Sequence, residues 1–96
     1  MAAVLCATAL VCATPASADD DTYLTTLETV GVPVDDPAAA VAMGHDACAM
    51  LDQGVDVQTV ATRIGADNGL EAEDSGYVVG VAVAAYCDHH RAAVGH

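Results

Sequence analysis

Gly44-His45-Asp46-Ala47-Cys48-Ala49-Met50-Leu51 and, further along, the run from Tyr77-Val78-Val79-Gly80 to Tyr86-Cys87 decide how this chain folds. Each stretch carries one cysteine on a helical pattern. We read Cys48 and Cys87 as one disulfide that ties two helices of a small exported domain together. The loop it closes spans about forty residues, and on a chain-entropy account closing it is worth roughly 4 kcal/mol. The chain needs such a staple. Its 96 residues allow one domain at most, and a chain of this size buries only ~60% of the surface its unfolded form exposes, which leaves little net stability from the core alone.

The pairing follows from what precedes it. Residues 1–18 are an apolar run, Met-Ala-Ala-Val-Leu-Cys-Ala-Thr-Ala-Leu-Val-Cys-Ala-Thr, broken by Pro15 and closed by Ala16-Ser17-Ala18. Small residues there fit a signal-peptidase cut between Ala18 and Asp19, and the composition changes at once to Asp19-Asp20-Asp21. No Lys or Arg precedes the apolar run, so the expectation is a start codon further upstream or a weak signal. The run is too short for a membrane-spanning helix, which needs about twenty apolar residues. Leu5 and Val11 precede Cys6 and Cys12, where bacterial lipidation wants a small residue, so neither cysteine reads as a lipid anchor. Both leave with the signal. The mature chain, residues 19–96, keeps two cysteines, and in an oxidising compartment a lone pair without Cys-x-x-Cys spacing is a structural disulfide.

Helical signals fill the mature chain. Tyr23, Leu24, Leu27 and Val30 form an amphipathic stripe with acids in the first turn and Gly31 at the C-terminal cap. Pro33 makes Val32-Pro33-Val34 extended. Asp36-Pro37 is an N-cap followed by proline at the first helical position, which predicts a second helix from Pro37 to Gln53 with Val41, Gly44, Cys48 and Leu51 inward and Ala40, Ala47 and Met43 beside them. Asp56 caps a third helix with Val57, Val60, Ala61 and Ile64 inward, stopped by Gly65 and the Asp67-Asn68-Gly69 turn. A fourth helix is expected from near Glu71 to about His90. Leu70, Tyr77, Val78, Val81, Ala84, Ala85 and Tyr86 supply its buried faces, and the row Gly76, Gly80, Ala84 reads as a close helix crossing. Val78 to Ala85 is β-branched enough to imitate a strand. The tail from Ala92 to His96 is expected to fray. The fold class is therefore all-α: a bundle of three to four helices stapled by one disulfide, with 1–18 as signal peptide and 19–96 as one acidic domain.

Charge excludes several partners. Fourteen Asp and Glu stand against two Arg and no Lys, giving a formal net charge of −12. Such a surface repels polyanions, so nucleic acid and anionic lipid headgroups are poor partners, and the acidity serves solubility.

Taken in order, Asp21-Thr22-Tyr23-Leu24 with Leu27 and Gly31-Val32, then Gly44 with Cys48, Leu51 and Gly54, then Tyr77-Val78, Ala82 and Tyr86-Cys87 resemble the small secreted mycobacterial proteins grouped as the domain of unknown function 732 family. The resemblance covers nearly all of the mature chain. It implies an exported, mostly helical domain with its two cysteines paired and no established activity. Where that family often has proline after the second cysteine, this chain has Asp88, which predicts that the last helix runs on and carries His89 and His90.

One cluster suggests chemistry. His45 lies one turn before Cys48 and His89 and His90 follow Cys87, so the bridge should gather the three imidazoles, with Asp46 and Asp88 beside them. Imidazole and carboxylate suit zinc or copper; one of these histidines with Met43 or Met50 is also the ligand pair that haem takes. The plainer reading has more behind it, since histidines in a last helical turn complement the helix dipole and no recognised ligand motif is present. Catalysis has little support. Ser75 lacks a neighbouring base, bridged cysteines are not nucleophiles, and a core this small offers scant room for a cleft. The reading is a secreted or envelope-located, non-enzymatic interaction module without a resident cofactor, its partner an unknown protein or envelope component and its mature chain without a stable membrane span. The alternative is a small metal or haem carrier using His45, His89 and His90.

Overall fold

The computed structural model describes residues 19–94, so the expected signal segment and its expected cut after Ala18, together with residues 95 and 96, lie outside the described part. The described residues form helices and no strand. In chain order they are α1 over residues 19–29, α2 over Pro37–Asp52, α3 over Val57–Asn68, α4 over Ala72–Tyr86, a 3-10 turn over Asp88–His90, and a single helical turn, α5, over Arg91–Val94. The all-α bundle stapled by one disulfide is what the sequence predicts.

Local signals place the helix boundaries. Asp36 accepts the Ala39 N–H (3.3 Å) with Pro37 just inside α2, and Asp56 accepts the Thr59 N–H (3.1 Å) at the start of α3. α1 and α2 end in the same device. Gly31 and Gly54 adopt φ of 87° and 89°, a left-handed turn that residues with a Cβ resist. The next residue then reaches back five positions, Val32 N–H to the Leu27 carbonyl (2.9 Å) and Val55 N–H to the Met50 carbonyl (3.1 Å). These bonds satisfy carbonyls that a helix end leaves open, and they fold Val32 onto Leu27, both buried.

α4 is the central element. α2 packs most heavily against it, α3 next, and α2 and α3 also touch. Val78, Val79, Val81, Ala82 and Val83 are all buried, so α4 is apolar around most of its girth. The strand-like composition is overridden because burial between α2 and α3 outweighs the few tenths of a kcal/mol per residue by which valine disfavours a helix. α1 lies across the first turns of α2 and the last turn of α4: the Tyr23 hydroxyl donates to the Ala40 carbonyl (2.7 Å), and its ring lies 5.1 Å from that of Tyr86. Cys48 and Cys87 are bonded, with Cα atoms 5.9 Å apart, and join α2 to the end of α4.

Four expectations are corrected. α4 does not reach His90: Cys87 leaves the helix at φ −142° and ψ 59°, and the chain resumes as a 3-10 turn closed by His90 N–H to the Cys87 carbonyl (2.9 Å). The helix therefore breaks at the bridge even without a proline after it. Gly65 does not stop α3 but lies buried within it, where a Cβ would stand 3.2 Å from both the Leu70 carbonyl and the Ser75 hydroxyl. The row Gly76, Gly80, Ala84 makes no helix crossing, for nothing lies within 4 Å of a Cβ built on either glycine and Ala84 is exposed. Tyr77, expected on a buried face, shares that outer face instead and is 41% exposed. The close approach is elsewhere, at Gly44, where a Cβ would fall 2.8 Å from the Tyr23 ring. Residues 91–94 form a single helical turn, with Arg91 forked onto the Asp88 carboxylate (Nε 3.0 Å, Nη2 2.5 and 2.7 Å).

Candidate functional site

The bridge gathers two of the three expected imidazoles and a partner the sequence reading missed. The Nε2 atoms of His89 and His90 lie 3.0 and 2.7 Å from Asp52 Oδ1, and the two rings are 4.2 Å apart. One potential ligand atom from each of Asp52, His89 and His90 falls within 4.8 Å of the others. His45 is not in this group. It precedes Asp52 by seven residues on the same helix, two turns or about 10 Å along the axis. The structure thus brings His89 and His90 together with Asp52 and leaves His45 apart from them.

The fold explains the exchange. Asp52 is the last residue of α2, one turn beyond Cys48, while His89 and His90 follow Cys87 on the 3-10 turn. The break at Cys87 turns both imidazoles toward the end of α2 rather than back along it. Asp46 and Asp88 belong to other surroundings, Asp46 exposed on α2 and Asp88 held by Arg91. The one signal that could have found Asp52 is its spacing of four from Cys48, since residues four apart share a helix face. Hydrogen bonds from His90 and then His89 hold the Asp52 carboxyl below its usual range. The group is open to water, with Asp52 and His89 more than half exposed.

His45 sits in a second cluster. Its ring stacks on Tyr86 at 4.1 Å, with Nε2 3.9 Å from Asp20 Oδ1. The Tyr86 hydroxyl donates to the same oxygen (2.5 Å). Burial, then that hydrogen bond and the Asp20 charge, push the Tyr86 hydroxyl well above its usual range. Burial alone pushes Tyr23 up to about 12.

The groups weighed for catalysis are committed elsewhere. Ser75 is buried and its hydroxyl donates to the Ala72 carbonyl (3.0 Å). A groove of about 280 Å³ between α3 and α4 is lined by Gln58, Ala61, Thr62, Gly65, Ala66, Leu70, Ala72 and Ser75. No histidine or methionine faces it, so it offers haem no axial ligand.

Residues 19–88 match the family described as Protein of unknown function (DUF732). The chain belongs to this family. The matched span takes in all four long helices and both bridged cysteines, and ends one residue past Cys87, so His89 and His90 lie just beyond it. A DUF732 chain of this kind is also similar to the protein named "Putative lipoprotein LprJ" from Mycobacterium tuberculosis, with 32% identity over 79% of this chain. That alignment covers 62% of the relative's length. No solved structure matches. No helix among the described residues is long and apolar enough to cross a membrane.

Proposed function

We propose that this DUF732 protein is an exported, non-enzymatic module that works in the cell envelope or outside the cell, holding a protein or envelope component. The observation that carries the reading is the Cys48–Cys87 bond. A bridge of this kind persists in an oxidising compartment and is reduced in the cytosol, and a fold this small depends on it. The export-like segment before Asp19 and the lipoprotein name of its relative point the same way. Binding rather than catalysis is favoured because the mature serine and both cysteines are engaged in structure. A carrier built on His45, His89 and His90 has less support, since His45 stands apart from the other two.

Mass spectrometry of the protein from fractionated cells tests the compartment. The expected product begins at Asp19, occurs in envelope or culture fluid, and has no thiol open to alkylation. An intact leader with both thiols free in the cytosol overturns the reading. Capture from envelope extracts tests the binding role, which is lost if nothing is recovered above an unrelated acidic control.

A further inference from the structure

Asp52 sits where helix electrostatics alone would not put it. It ends α2, against the negative pole of the helix dipole, where carboxylates are disfavoured and cations welcome. The chain delivers two imidazoles to that carboxylate from 37 and 38 residues away, and both point Nε2 at the same oxygen. His89, 66% exposed, could have been satisfied by water alone, whereas His90, at 23%, is partly covered and still meets the same oxygen.

We propose that Asp52, His89 and His90 form a surface site for one divalent transition cation, zinc or copper(II), with copper(II) bound more tightly. Tetrahedral zinc with ligand bonds of about 2.0–2.1 Å needs donor atoms about 3.3 Å apart. Here two of the three separations are 3.0 and 2.7 Å, and all fall within 4.8 Å. A cation therefore fits between the three donors after a small outward shift of the exposed Asp52 and His89 side chains. Two imidazoles and one carboxylate are borderline donors that suit zinc and copper(II) better than calcium or magnesium, and the order of divalent affinities puts copper(II) first. The outward side stays open, leaving the remaining coordination positions to water or to a group on another molecule. The Cys48–Cys87 bridge fixes the two segments that carry the donors, so the ordering cost of bringing them together is met by the fold before the cation arrives. The helix pole and the net charge of −12 add attraction for any cation. The proposal is independent of the compartment and of the envelope component the module holds.

The test is a zinc titration of the purified, bridged protein against a chromophoric chelator, with millimolar calcium present to occupy diffuse acidic sites. One zinc per chain is expected, with copper(II) displacing it. Asp52→Asn, His89→Ala and His90→Ala should each weaken binding by at least about tenfold, a loss that even supporting residues of metal sites produce, while His45→Ala should change it less than twofold. Circular dichroism on each variant confirms that the fold is kept, and NMR should show copper(II) broadening the imidazole signals of His89 and His90 before that of His45. Absence of saturable binding, an equal loss on His45→Ala, or affinity that survives removal of all three donors overturns the proposal.

Discussion

The inner face of α2 at Gly44 and the outer face of α4 at Gly76 and Gly80 look alike as sequence and behave oppositely as structure. Both set small residues at helical spacing. At Gly44 the missing side chain is filled by the Tyr23 ring, 2.8 Å from where a Cβ would be. At Gly76 and Gly80 the same absence opens onto nothing within 4 Å. A glycine row records only that no side chain is present. Whether a neighbour uses the space is decided by where the rest of the chain goes.

The largest way to break this contrast is to cut the clamp one turn from Gly44. Cys48→Ala with Cys87→Ala should lower stability by about 4 kcal/mol, read from urea unfolding under oxidising conditions. An unchanged midpoint would mean that the α2/α4 crossing holds without its covalent link. Gly44→Ala comes next. The clash with a ring that is itself buried and hydrogen-bonded should outweigh the helix propensity gained, for a net loss of about 1–2 kcal/mol.

Tyr23→Phe keeps the ring in that space and removes only its hydrogen bond to Ala40, which should cost about 1 kcal/mol at neutral pH. It also tests the alkaline limb. With Tyr23 pushed up from 10.0 to about 12, its contribution is complete below pH 10 and falls as pH rises toward 12, because the unfolded state gives up the proton first. The variant should flatten that fall, leaving the share that Tyr86 contributes. Gly76→Ala and Gly80→Ala should have the opposite sign to Gly44→Ala, each raising stability by about 0.5–1 kcal/mol. Smallest of all, Asp52→Asn should leave the unfolding midpoint unchanged, which separates a site that binds from a contact that stabilises.

Much of the fold was legible because its signals are local. Asp36-Pro37, Asp56, Gly31 and Gly54 each mark a helix boundary by what their own backbone or side chain can do within a few residues. Gly65 misled because it stands four residues before the true stop, Gly69 at φ 68°, and its role depends on Ser75 and Leu70 packing against it. His45 misled for a related reason. It shares a helix with Cys48, but the direction in which the bridge brings the second segment was open until Cys87 was seen to break α4.

The sequence by itself determined the helices, their caps, the acidic surface and the identity of the bridged pair, since these follow from backbone preference, charge count and the two cysteines that residues 19–96 contain. Tertiary structure alone decided which small residue is a contact and which imidazoles meet a carboxylate. Those outcomes depend on the angle at which distant segments cross, and that angle is set by the packing of the whole core around Tyr23 and α4.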